Sequence, residues 1–144
     1  MHCTIMGHPR YLKDVCETYD LFEQNDITVL SPRRSDIADM GAYIRLDMES
    51  KEMSGPGKLT EKSRHLLGTL LVDIRQSDFV YVVNPHNGFF DTETFAAGYA
   101  HALEKPVFSY CRVENPPGGA YVRVLSPQEV IDFLKAHPLT TSSV

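Results

Sequence analysis

Two short stretches of this chain carry residues suited to chemistry. The first is Gly7-His8-Pro9-Arg10. A glycine after a strand lets the backbone turn tightly, and the helix start that follows offers N–H groups to an anion. Arg10 adds a fork of donors that matches a phosphate. The same residues also serve as a plain strand-to-helix turn. The second stretch is Asn84–Ala100, which opens as a turn and closes as a helix. The first turn of that helix carries Asp91, Thr92, Glu93 and Thr94. Capping accounts for one or two of these four.

Both stretches depend on the elements around them. His2–Met6 is a β-prone run that ends at Gly7. From Tyr11 to about Gln24, Leu12, Val15, Cys16, Tyr19 and Phe22 recur at helical spacing, and Asn25-Asp26 break the pattern. Ile27–Leu30 is the second strand, closed by Ser31-Pro32. Such a β-α-β unit places its strands parallel, joined by a right-handed crossover. Arg33 to Lys58 is the least regular region and is either a lid or a connector. Thr60 to Gln76 predicts a helix with an apolar stripe of Leu66, Leu67, Leu70, Leu71 and Ile74.

Phe79–Val83 is continuously apolar, as the centre of a parallel sheet requires. The next helix spans about Thr92 to Leu103, with Asp91 or Thr92 as its N-cap. A glycine inside a helix costs roughly 1 kcal/mol relative to alanine. The run Ala96-Ala97-Gly98 therefore implies that this helix approaches the sheet closely. Pro106–Tyr110 is the fourth strand, Glu114–Gly119 a Pro/Gly loop and Tyr121–Leu125 the fifth strand. Ser126-Pro127-Gln128-Glu129 is a capping box with proline at the first helical position, opening a helix that runs to about Ala136.

The alternation predicts one α/β domain over 1–138, a Rossmann-like (flavodoxin-like) doubly wound sheet of about five parallel strands, and a flexible tail over 139–144. Ligands of such sheets bind beyond the carboxyl ends of the strands, near the switch point. That rule selects Gly7–Arg10, Asn84–Thr94 and the loop after Tyr110.

Composition narrows the function. The 144 residues can bury a full core, and the net charge of −5 argues against long nucleic acid as the main partner. Cys3, Cys16 and Cys111 form no C-x-x-C and read as reduced thiols, with Cys3 packing inside a strand. The six histidines, His2, His8, His65, His86, His101 and His137, show no zinc-type spacing. No apolar run approaches a membrane span and the N-terminus has no signal-peptide pattern, so the expected compartment is the cytoplasm. The Gly-x-Gly-x-x-Gly dinucleotide signature is absent from the sequence, and no metal or organic cofactor is expected.

The stretch from Asp73 to Val107 resembles the nucleoside 2-deoxyribosyltransferase superfamily. The likeness is carried by Asp78, Tyr81-Val82-Val83-Asn84-Pro85, Gly88-Phe89, Thr92, Gly98-Tyr99-Ala100-His101-Ala102 and Lys105-Pro106-Val107. Thr4-Ile5-Met6-Gly7-His8-Pro9-Arg10 is similar to the strand-Gly-Ser-x-Arg start of members that hydrolyse nucleoside 5′-monophosphates. The resemblance implies cleavage of an N-glycosidic bond. A helix-borne glutamate attacks C1′ of the sugar, the base leaves, and another base or water resolves the glycosyl-enzyme. A carboxylate suits an oxocarbenium-like transition state, and a second acidic group assists the leaving base or orients the sugar.

Carried over residue by residue, the resemblance makes Gly7, His8 and Arg10 a sugar-phosphate cradle. Asn84, His86, Gly88, Phe89 and Thr92 line the substrate, and Phe89 and Phe90 can stack on a base or sugar. Asp91 lies near the assisting acid's position and doubles as an N-cap. Asp73 is either the sugar-contacting aspartate or a solvated carboxylate near a helix end. Phe95 and Tyr99 are also readable as simple core residues. The resemblance further implies a homodimer or larger assembly, which Gly118-Gly119-Ala120-Tyr121 would approach.

One departure matters. The glutamate of the pattern falls at position 96, where this chain has Ala96. The loop before it is also one residue shorter than the usual Gly-aromatic-x-Gly form. Three explanations stay open. Glu93, one turn earlier and about 4.5 Å along the helix axis, serves instead. The protein binds a nucleotide without cleaving it, as a sensor or regulatory module. Or the chain is an inactivated form of such an enzyme.

Overall fold

Strand β1 (His2–Gly7) leads through one 3-10 turn (Pro9–Tyr11) into α1 (Leu12–Gln24), and the chain returns as β2 (Thr28–Ser31). The structure, a computed structural model, describes residues 1–38, 61–85, 88, 91–113 and 122–139. The remaining elements are α2 (Arg34–Ala38), α3 (Glu61–Gln76), β3 (Phe79–Val83), α4 (Asp91–Ala102), β4 (Val107–Ser109), β5 (Val122–Val124) and α5 (Pro127–Ala136). The five strands form one parallel sheet in the order β2-β1-β3-β4-β5. This is the doubly wound, Rossmann-like arrangement, with its switch point between β1 and β3.

Strand side chains alternate between two apolar layers. Cys3 and Ile5 of β1, with Phe79, Tyr81 and Val83 of β3, pack against Val15, Tyr19 and Phe22 of α1 and Val130, Ile131 and Leu134 of α5. On the other face, Met6, Val80, Val82 and Val107 meet Ile74 of α3 and Ala96, Ala97 and Ala100 of α4. Phe22 stands edge-on to Phe79 at 5.9 Å and to Tyr81 at 5.5 Å, a geometry that adds roughly 0.5–1.5 kcal/mol per pair. Every residue of β3 is buried, which explains its uninterrupted apolar run.

The helix ends follow from local chemistry. Ser126 caps α5: its Oγ accepts from the Glu129 N–H at 3.2 Å, and Glu129 Oε1 accepts from the Ser126 N–H at 3.1 Å. Helix α1 stops where Asp26 adopts φ 63°, with the Ile27 N–H donating to Phe22 O at 3.0 Å. Helix α4 stops the same way at Glu104, φ 58°, with the Lys105 N–H donating to Ala100 O at 3.0 Å. Both are six-to-one helix terminations that normally favour glycine at the left-handed position.

Three expectations change. The region after Pro32 is not wholly irregular, since Arg34–Ala38 forms a short helix whose entry is fixed by the Arg33 N–H donating to Asp36 Oδ2 at 3.0 Å. Asp91 is the first residue of α4 instead of the residue before it. Gly98 does not face the sheet: it is exposed, and a Cβ placed there meets nothing within 4 Å. Ala96 and Ala97 alone let α4 approach the sheet. Gly98→Ala is therefore expected to raise stability by about 1 kcal/mol, read as a higher urea midpoint with unchanged slope.

The rest of the predicted lid or connector, residues 39–58, lies outside the described residues, as do the Glu114–Gly119 loop, Ala120, Tyr121 and the tail from 140. Among the described residues no helix is long and apolar enough to cross a membrane.

Candidate functional site

The register of the two central strands brings the two candidate loops together. Gly7 lies opposite Val83, so β1 and β3 end side by side. From that edge the chain leaves β1 toward α1 on one face and leaves β3 toward α4 on the other. The divergence makes this edge the switch point, where ligands of such sheets generally bind.

Gly7 is needed there for closeness, not for a left-handed turn. A Cβ at this position would lie 2.5 Å from Val15 Cγ2 and 3.4 Å from Val83 Cβ, and its φ is outside the positive region. The first turn of α1 is thus drawn hard against the strand end. Gly7→Ala is expected to cost about 1–3 kcal/mol through overpacking, seen as a lowered Tm.

His8 then folds back on its own turn, its Nδ1 accepting from the Arg10 N–H at 3.1 Å, while its carbonyl accepts from the Tyr11 N–H at 2.8 Å. An accepting Nδ1 places the ring proton on Nε2. The Arg10 N–H is therefore engaged within the chain, and what Arg10 offers an anion is its exposed guanidinium.

Asn84 plays a part that the sequence reading did not give it. The residue is fully buried. Its Nδ2 donates to Cys111 O at 2.9 Å, and its Oδ1 accepts from the Cys111 N–H at 2.9 Å. Ser109 Oγ donates to the same carbonyl at 2.8 Å. Asn84 thus clamps the end of β3 to the chain leaving β4. Gly88 is half-buried. His86, Phe89 and Phe90 lie outside the described residues, as does the side chain of Asp91.

Helix α4 has a sharp inside and outside. Glu93, Ala96, Ala97 and Ala100 form its inner stripe, at the i, i+3, i+4, i+7 spacing of one helix face. Thr92, Phe95 and Gly98 point outward, so Phe95, 54 % exposed, is no core residue. Ala96 is fully buried in the apolar layer with Met6, Ile74, Val80 and Val82. Position 96 is therefore lined by hydrocarbon. Glu93 sits one turn nearer the strand ends, at the top of the same stripe, and is only 3 % exposed. A helix's first turn favours a negative charge, because its N–H groups point back toward the start of the helix.

Asp73 is not solvated. It lies in the last half of α3, its side chain 6 % exposed, with Oδ1 3.5 Å from Arg33 Nη2. Burial pushes its carboxyl above the usual range, Arg33 opposes that rise, and Asp36 adds to it. Its carbonyl accepts from Ser77 Oγ at 2.7 Å, and Ser77 Oγ also bonds Thr4 Oγ1 at 2.7 Å, which ties α3 to β1. Arg33 carried no functional reading in the sequence; its position just after a strand end was the one available signal.

Cys3 is buried and its thiol is pushed far up by desolvation, while Cys16 and Cys111 are half-buried; all three are free thiols. Among the described residues no group of three or more His, Cys, Asp or Glu side chains is placed to hold a metal.

Fold and site together define a doubly wound α/β protein with a buried carboxylate, Glu93, in the first turn of the helix that follows its central strand. Comparison with known proteins adds no relative: no family model matches the chain, and neither a curated protein nor a solved structure matches it significantly.

Proposed function

We propose that this chain is a nucleoside 2-deoxyribosyltransferase-like enzyme that cleaves or transfers at the N-glycosidic bond of a nucleoside or nucleoside 5′-monophosphate. The observation that carries the reading is Glu93, buried at 3 % exposure on the inner stripe of α4, one turn above the alanine at the pattern's glutamate position. Glu93 attacks C1′ from this position, and the sugar–base bond breaks as the carboxylate–sugar bond forms. Asp91, two residues earlier, assists the departing base, and water or a second base releases the sugar from Glu93. The exposed Arg10 guanidinium, with His8 and the strand end at Gly7, receives the sugar's 5′ side. Gly88, Thr92, His86 and Phe89 border the bound substrate, and Asn84 anchors the end of β3 beside it.

The reading needs no cofactor. It takes the protein to be a homo-oligomer, in keeping with the outward-facing Phe95 and the half-exposed Val72. It places the protein in the cytoplasm, in keeping with three free thiols.

Incubation with ribo- and deoxyribonucleosides and their 5′-monophosphates, followed by chromatography, tests this directly. Free base that accumulates with time supports the reading. Saturable nucleotide binding without base release favours the second reading, a nucleotide-binding module, which the apolar surroundings of Ala96 also suit.

A further inference from the structure

A charged feature lies at the β2 edge of the sheet. Arg33 and Arg34 are consecutive, yet they reach helices on opposite faces. Arg33 Nη2 lies 3.5 Å from Asp73 Oδ1 on α3. Arg34 Nη2 lies 3.9 Å from Asp20 Oδ1 on α1, and its guanidinium carbon stands 4.9 Å from the centre of the Tyr19 ring. Helix α1 packs in one apolar layer and α3 in the other, and β2 is the outermost strand on this side. The two arginines therefore strap the sheet edge from helix to helix. Helix α2 is carried on this strap, with Ile37 packed against the α1 layer.

The two halves of the strap differ. Arg34 and Asp20 are both exposed, so their pairing titrates as a surface contact. Arg33 is half-exposed, but its partner Asp73 is buried. Asp73 Oδ2 is buried and accepts no hydrogen bond from the described residues, so charge on that oxygen is poorly offset. Proton uptake removes that cost, and with it the attraction for Arg33. Burial lifts the carboxyl above the usual range, toward milder acid, while Arg33 pulls it back and Asp36 raises it further. Among the described residues these two, both on the α2 segment, are the charged groups that act on it; none comes from β1, β2 or α4. The neutral acid suits the buried position, so α3 stays in place as pH falls through the range of this carboxyl. Arg33 favours the charged form, so proton uptake and Arg33 docking oppose each other.

We propose that the strap is a one-sided, acid-released clasp: proton uptake by Asp73 frees Arg33 and the start of α2 from α3, while Arg34 and Ile37 keep α2 on the α1 face. The inference stands without the glycosidic reading.

Solution NMR of the full chain tests it, with the Asp73 carboxyl carbon and the Ile37 amide followed against pH. That amide donates to Arg33 O at 3.0 Å, so it reports on the first turn of α2. Its exchange rate, corrected for the intrinsic pH dependence of amide exchange, should rise by up to about fivefold in acid, the range for an ion pair with one exposed partner. The rise should share the midpoint of the Asp73 carboxyl, while the β3 amides stay protected. Arg33→Gln should raise the Asp73 midpoint and leave Ile37 exchange fast at neutral pH and insensitive to acid. Asp73→Asn should have the same effect on Ile37. Arg33 is half-exposed, so Arg33→Gln keeps the test decisive if Asp73→Asn fails to fold. Ile37 exchange that ignores the Asp73 titration, an equal acid response in Arg33→Gln, an Asp73 midpoint unmoved or lowered by that substitution, or simultaneous loss of β3 protection would overturn the proposal.

Discussion

On the proposed mechanism, Glu93→Gln is expected to lower base release by about 10³-fold or more with the fold kept. Glutamine keeps the shape and most of the polarity of glutamate but cannot form the covalent bond to C1′. Loss of a group that acts at the reacting atom lowers kcat with little change in KM. Glutamine keeps nearly the same volume at this buried position, so no cavity forms. Thermal unfolding run beside the assay separates the two effects. Unchanged base release in a folded Glu93→Gln variant would sink the mechanism. Ala96→Glu is the companion variant. It drives a carboxylate among Met6, Ile74, Val80 and Val82, so Tm should fall by many degrees whether or not activity changes. The position that the resemblance singles out is therefore not freely restorable in this chain.

Asn84→Ala is the largest expected loss of stability, about 3 kcal/mol. The alanine withdraws the acceptor from the Cys111 N–H and the donor from its carbonyl. The carbonyl keeps its bond from Ser109 Oγ, whereas the N–H is left without that partner. One orphaned buried group costs about 1–3 kcal/mol, and the space vacated by the side chain adds to it. For a chain of this length Tm should fall by roughly 10 °C. Asn84→Asp is expected to fail as well, because it places a carboxylate oxygen against the Cys111 carbonyl. If Asn84→Ala unfolds at the wild-type temperature, the clamp contributes nothing to stability.

The fold was legible where one physical cause dominated. Phe79–Val83 announced a buried central strand because a parallel sheet covered on both faces tolerates no polar alternation. Ser126–Glu129 announced a helix start because the capping box is purely local. Gly98 misled because a helix glycine does not reveal which way it faces, and only the inward placement of Ala96, Ala97 and Ala100 settles it. Helix α2 escaped because five residues are too few to show a period. In the site, Glu93 was legible as a surplus carboxylate in a first turn. The Asn84–Cys111 clamp and the Arg33–Asp73 pair were not, since each joins residues far apart in sequence. No local pattern encodes such contacts.

The strand order also bears on how the chain can vary. The central pair is closed late in sequence: the His2 N–H donates to Asp78 Oδ2 across a separation of 76 residues. The entropy of closing a loop grows only with the logarithm of its length, so doubling it would cost about 0.6 kcal/mol. Closure entropy alone therefore sets little penalty on length changes between α2 and α3 while β1 and β3 keep their register. Chain length can thus vary between α2 and α3 while Gly7 and Val83 stay opposite each other at the strand ends.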